Sequence, residues 1–141
     1  ERVGSSVIAS DELADRLALH ELVSPARPSR RRRRLRRAQC RVRPRRLYDV
    51  SDLGGGTLVG IEAVEQAGRE LGDRNPVAHH VTNVVVTELD DDTAKVLSKG
   101  LGVTTDGSTG SVVYEDGAVR TEHGWRIRHR TVRRRRTPLH P

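Results

Sequence analysis

Residues 79–100, HHVTNVVVTELDDDTAKVLSKG, decide the fold class. Residues 80–89 are rich in Val and Thr, side chains that suit a pleated, half-buried surface. Asp90, Asp91 and Asp92 form a polar turn, and residues 93–105 give a second strand region. Working outward, Asp106, Gly107 and Ser108 make the next turn and residues 111–120 a third strand. Glu122, His123 and Gly124 then lead into a fourth strand at 125–133. Consecutive strands joined by short polar turns predict an antiparallel meander.

Upstream, the pattern changes to helices. Ser10, Asp11 and Glu12 precede Leu13, Leu17 and Val23, with Ala14 and Ala18 between them. A serine cap with acids in the first turn suits the positive end of a helix, so a capped amphipathic helix is predicted at 10–23. Pro25 and Pro28 interrupt it. Residues 47–50 read as a short strand and Gly54, Gly55 and Gly56 as a turn. Residues 60–71 place Ile61, Val64, Ala67 (or Gly68) and Leu71 on one helical face, and 72–76 form a loop. The order is helix, strand, helix and four strands, an α+β arrangement with helices packed on a curved sheet. No internal repeat is visible.

The chain has 141 residues, enough for one domain with one modest core. Its formal charge of +7 invites a nucleic-acid reading. Residues 25–46, PARPSRRRRRLRRAQCRVRPRR, carry 12 of the 26 basic side chains and none of the 19 acidic ones. The remainder is therefore mildly acidic, about −5, and a case for nucleic acid rests on those 22 residues. Cys40 is the one cysteine, which excludes an intrachain disulfide and a cysteine-based zinc site and fits a reducing cytoplasm. No apolar run is long enough to span a membrane, and no basic region followed by an apolar core marks a signal peptide. The first residue is Glu1, which reads as a fragment or a trimmed start. Aromatics are limited to Tyr48, Tyr114 and Trp125.

Four segments together, DELADRLALHELVS, LYDVSDLGGGTLVG, HHVTNVVVTELDDDTAKVLSKG and EHGWRIRHRTV, resemble the SnoaL-like branch of the nuclear transport factor 2-like superfamily. The resemblance covers about residues 10–24 and 47–135. It implies an α+β cone, in which a curved antiparallel sheet wraps N-terminal helices and leaves a pocket open at one end. Relatives include ketosteroid isomerase-like and dehydratase-like enzymes, polyketide cyclases and non-catalytic subunits, so the fold alone does not fix the function. The resemblance also implies a homodimer with sheets packed face to face.

In such relatives the first helix is followed by a second, with a pattern near D-x-x-D-[FW]-D-x-L. Here the arginine stretch takes that place at nearly the same length and lacks the apolar residues for a buried face. A frameshift accounts for this. With CGN arginine codons read one base later, each Arg-Arg pair becomes GNC, encoding Asp, Ala, Val or Gly. The degenerate codons of the shifted frame can then spell a D-x-D-F-D-A-L-S-A-x-F-x-P-D-A-like run leading into Tyr48. The alternatives are a genuine basic arm and a solvated helical face. Any such stretch binds phosphate backbones non-specifically and with salt dependence, and its lack of aromatics argues against stacked bases.

The resemblance places a pocket histidine where the strand at 79 begins. By period two, His80, Thr82, Val84 and Val86 share one face, so His80 is the expected pocket residue, with His79 exposed and Asn83 on the opposite face. The same alternation puts Trp125, Ile127, His129 and Thr131 inward and Arg126, Arg128 and Arg130 in water. An imidazole titrating near neutrality can pass a proton to or from a bound substrate. His80 and His129 are thus the candidate catalytic pair, with Thr82, Val84, Trp125 and Ile127 lining the pocket. The competing reading makes both histidines structural. Lys99 reads as an exposed lysine, and the tyrosine role of relatives is not carried over to Tyr48. Gly54–Gly56 lacks the Lys-Ser/Thr of a phosphate loop, Asp90–Asp92 lacks calcium-loop spacing, and no metal or cofactor is expected.

The sequence thus predicts a single SnoaL-like domain at 10–135, flanked by an extension at 1–9 and a basic tail at 136–141, with 25–46 anomalous. The expected function is a lyase or isomerase acting on a hydrophobic, polycyclic small molecule by histidine-mediated proton transfer. The alternatives are a non-catalytic ligand-binding or assembly subunit and an arginine-rich nucleic-acid binder. Loss of the second helix and its acidic partner would leave the chain inactive.

Overall fold

The computed structural model describes residues 10–24 and 46–138. The expectations placed on 1–9, on the arginine stretch up to 45 and on the last residues of the tail lie outside the described residues. Helix α1 spans Ser10–Val23. Strand β1 (Leu47–Asp49), a 3-10 turn (Ser51–Leu53), β2 (Thr57–Val59) and α2 (Ile61–Leu71) follow. The meander is β3 (Ala78–Leu89), β4 (Thr93–Val103), β5 (Thr109–Thr121) and β6 (Gly124–Arg134). Strand β2 is absent from the sequence reading. It pairs antiparallel with β1 across the glycine turn, where Gly54 and Gly56 take positive φ.

The six strands form one sheet in the order β2-β1-β6-β5-β4-β3. All neighbours are antiparallel except β1 and β6, which run parallel. One sheet face is covered in part by α1, and we call it the inner face. Its core contains Leu19 and Val23 from α1 with Val86, Ala94, Val96, Ala118, Trp125 and Ile127 from the strands. The alternation is clearest in β4, where Ala94, Val96, Ser98 and Gly100 are buried and Lys95, Leu97 and Lys99 are exposed. The exposed position of Lys99 agrees with its reading as a surface lysine.

Helix α1 turns a different face inward from the one its leucines suggest. Leu19, Leu22 and Val23 meet the core, whereas Leu13 and Leu17 are exposed. Polar anchoring explains the rotation. Asp15 accepts a hydrogen bond from Trp125 Nε1 (2.9 Å) and two from Arg120 (2.9 and 2.6 Å), and the Arg120 guanidinium lies 4.5 Å from the Trp125 ring centre. Satisfying the indole N–H of a buried tryptophan fixes Asp15 toward the sheet, and Leu13 and Leu17 then point elsewhere. Helix α2 is amphipathic as predicted but packs mainly beside β2, and none of its residues is fully buried.

Candidate functional site

Three bulges interrupt the alternation, one of them between Val86 and Glu88, and the other two decide where the candidate side chains point. On β3, Thr82 pairs with Lys99 and Val85 with Leu97, so two β3 residues stand opposite Ser98. Asn83 takes the extra place, with φ of +51°, a left-handed conformation that asparagine tolerates better than most residues. The bulge reverses the alternation upstream of it. His79 pairs with Gly102 and Val81 with Gly100, so both share the inner face with Val84 and Val86. His80 pairs with Leu101 and Thr82 with Lys99 on the outer face, and both are exposed. The expected row of His80, Thr82, Val84 and Val86 is therefore split, and only its two valines face the core.

On β6, Gly117 pairs with His129 but Ala118 with Ile127, leaving Arg128 as the extra residue. Trp125 and Ile127 are buried on the inner face, as expected. Past the bulge, His129 is exposed and Arg130 and Val132 turn inward, the reverse of the simple alternation. His129 lines a shallow outer groove of about 270 Å³ with Leu47, Lys95, Gly117 and Arg128. That groove is smaller than the usual pocket for a drug-sized ligand. His80 and His129 thus lie on the outer face on strands β3 and β6, with β5 and β4 between them, and do not converge.

What converges instead is a polar cluster on the inner face. His79 Nε2 and the Tyr114 hydroxyl are 2.5 Å apart. Tyr114 is buried, and its ring lies across Gly100 of β4. The Arg130 guanidinium sits 4.5 Å from the centre of the same ring, and this cation is 5.9 Å from the ring of Tyr48. Arg130 donates two 2.6 Å hydrogen bonds to Asp116, which is almost fully buried. Ser98, the cross-strand partner of Tyr114, is fully buried, and its Oγ has no hydrogen-bond partner among the described residues.

The electrostatics follow from this packing. Desolvation, then the positive charges of Arg130 and His80, hold the His79 pKa below the usual imidazole value, although the residue as a whole is exposed, as the sequence predicts. Burial, reinforced by Tyr48, pushes the Tyr114 phenol up to about 12, with the Arg130 charge opposing. Burial also works against the charge of Arg130, but its hydrogen bonds to Asp116 outweigh this and raise its pKa. At neutral pH the cluster therefore holds a neutral imidazole beside a protonated phenol, together with a charge-balanced arginine–aspartate pair. No group of three or more His, Cys, Asp or Glu among the described residues is placed to hold a metal ion.

Sequence reasoning passed over His79, Tyr114, Asp116 and Arg130. One signal was present: Tyr114, Asp116 and Ala118 alternate on β5 and so share a face. Arg130 carried no such signal, because the bulge at Arg128 moves it inward.

A family profile described as the SnoaL-like domain matches residues 43–131. Among solved structures, a proposed aromatic ring hydroxylase from Novosphingobium aromaticivorans is 25% identical with a TM-score of 0.65, over 89% of this chain and 92% of that one. LinA is 22% identical with a TM-score of 0.65, over 92% of each chain. The hexachlorocyclohexane dehydrochlorinase LinA-type3 from Novosphingobium barchaimii LL02 is 21% identical with the same TM-score, over 92% of this chain and 93% of that one. No curated protein sequence matches the chain. The inner-face helix, the six-stranded curved sheet and the profile match agree: the chain belongs to the SnoaL-like domain family, with the nuclear transport factor 2-like cone fold.

Proposed function

We propose that the chain holds an uncharged hydrophobic small molecule against the inner face of its sheet and performs lyase- or isomerase-like proton transfer there. The observation that supports this reading is the His79–Tyr114 contact at 2.5 Å, backed by Arg130 on the tyrosine ring. A neutral imidazole is a base suited to pH 7, and a phenol held protonated is a hydrogen-bond donor. In the proposed step the Tyr114 hydroxyl turns to an oxygen or halogen of the ligand and frees His79 Nε2. The imidazole removes a proton from the adjacent carbon. The electron pair moves onto a conjugated carbonyl, and the proton returns at another carbon, or it forms a double bond and expels halide. Because Asp116 already neutralises Arg130, the cluster offers no spare cation among the described residues for an anionic substrate. These roles replace those expected of His80 and His129.

The test incubates the chain with polycyclic ketones and with hexachlorocyclohexane in deuterated buffer, following deuterium uptake at carbon and chloride release. Support is turnover that falls by about 10²–10⁴-fold in His79→Gln and persists in His80→Gln and His129→Gln. Turnover indifferent to His79, or lost with His129, would discard the assignment.

A second reading, a ligand-binding or assembly subunit, draws on the outer face. Val85 and Leu97 are cross-strand partners there, and with Leu101 they leave 52%, 41% and 40% of their surfaces exposed. Apolar side chains grouped in this way suit the packing of a second copy into a homodimer. The nucleic-acid reading gains little from the described residues. Arg120, Arg130, Arg133 and Arg136 are each paired with a carboxylate, so phosphate binding would rest on 25–45 and on exposed cations such as Lys99, Arg128 and Arg134, and remain non-specific. No helix among the described residues is long and apolar enough to cross a membrane.

A further inference from the structure

Inner-face positions on β4 become small as the strand leaves the core: Ala94 and Val96 give way to Ser98, Gly100 and Gly102. The outer-face residues between them, Leu97, Lys99 and Leu101, stay large. Gly100 has no positive φ, so its backbone does not require glycine. Space does. A Cβ built at Gly100 would stand 2.5 Å from Tyr114 Cε2, 2.7 Å from its hydroxyl and 2.8 Å from Cζ. These distances are well inside van der Waals contact. The ring is not free to move, because the Arg130 guanidinium packs 4.5 Å from its centre and is itself held by Asp116. Beyond it, Gly102 faces Pro76, whose Cγ a Cβ would approach to 3.3 Å, and pairs with His79.

We infer that Gly100 is a positioning residue for the proton-transfer pair: its missing side chain forms the seat in which Tyr114 lies flat across β4 and reaches His79. This inference rests on the proposed role of His79 and Tyr114, but it concerns their geometry and can be read without a substrate. A methyl group at position 100 displaces the ring and breaks the 2.5 Å contact, while the strand pairing of β4 is left in place.

The experiment is an NMR pH titration of His79, with its imidazole resonance assigned by loss in His79→Gln, on the full chain and on Gly100→Ala. The Tyr114 phenol is followed in parallel by its ultraviolet absorbance. In Gly100→Ala the imidazole pKa should rise toward its ordinary value, since the ring packed against it has moved and leaves it more open to water. The phenol should titrate below about 12 for the same reason. In a Tyr114→Ala background, Gly100→Ala should leave the His79 titration unchanged, because no ring remains to be displaced. A folded Gly100→Ala with an unaltered His79 titration overturns the inference, as does an equal shift in both backgrounds. Should Gly100→Ala alone fail to fold, recovery of the fold in the double variant supports the clash with Tyr114, and failure to recover refutes it. Absence of turnover on every substrate would count against the proposed chemistry while leaving this result standing.

Discussion

At the scale of single residues, the inner-face cluster depends on one buried ion pair. The Arg130 side chain is 12% exposed and that of Asp116 is 0% exposed. Neither charge can return to water if its partner is removed. Asp116→Asn should therefore destabilise the chain by about 3–5 kcal/mol, the usual cost of leaving a buried charge unpaired. The double variant Asp116→Leu with Arg130→Met should lose much less than the sum of its single changes, as read from urea unfolding midpoints. Additive losses would mean that the pair is better solvated than its burial indicates. His79 makes a second prediction, in pH. Its folded pKa lies below the ordinary value of 6.5, so between those two values the unfolded chain binds the proton and the folded chain does not. Its contribution to stability is complete above 6.5 and is lost as pH falls through the folded value. Comparing unfolding midpoints at pH 7.5 and 5.5, the wild type should lose more stability on acidification than His79→Gln. Equal losses would show that other groups account for the acid sensitivity.

At the scale of elements, the bulges explain what the sequence could and could not reveal. The meander was legible because Val- and Thr-rich runs separated by Asp and Gly turns have few other readings, and Trp125 and Ile127 were legible because they precede the β6 bulge. Face assignment beyond each bulge was not legible. A period-two pattern carries its phase from residue to residue, and one extra residue inverts everything past it. Asn83 looked like an outward polar residue when it is the point of inversion, which is why His80 was favoured over His79. The arginine-rich spelling of β6 hid the inversion at Arg128 in the same way, since Arg126, Arg128, Arg130 and Arg133 are alike in type and differ only in environment. Asn83 is open to test. Its positive φ suits glycine and penalises a β-branched side chain, so Asn83→Gly should be near neutral and Asn83→Val should cost about 1–2 kcal/mol. If Asn83→Val also re-registers β3, the His79 resonance should lose its coupling to Tyr114. A valine variant as stable as the wild type would argue that the left-handed residue is not needed to form the bulge.

At the scale of the whole molecule, the two sheet faces are built differently. The inner face is closed at one end by α1, through Leu19 and Val23, and bears the His79–Tyr114 cluster beyond that cover. The outer face has no helix from the described residues packed on Val85, Leu97 or Leu101. Those three side chains come from the β3–β4 pair: Val85 and Leu97 are adjacent, and Leu101 follows on the same face beyond the Lys99–Thr82 pair. Helix α1 supplies an internal comparison: Leu13 and Leu17 are similarly exposed, at 51% and 60%, but lie on a helix anchored by its opposite face. If the sheet patch mates with a second copy, a charge placed there acts twice in a symmetric interface, once from each subunit. Leu97→Glu combined with Leu101→Glu should convert a dimer into a monomer in sedimentation velocity, with the far-ultraviolet spectrum unchanged. Leu13→Glu combined with Leu17→Glu should leave the dimer intact. A wild-type chain that sediments as a monomer at tens of micromolar, or a dimer that survives both outer-face glutamates, would remove the sheet face as the site of association and leave the exposed leucines of α1 as the next surface to charge.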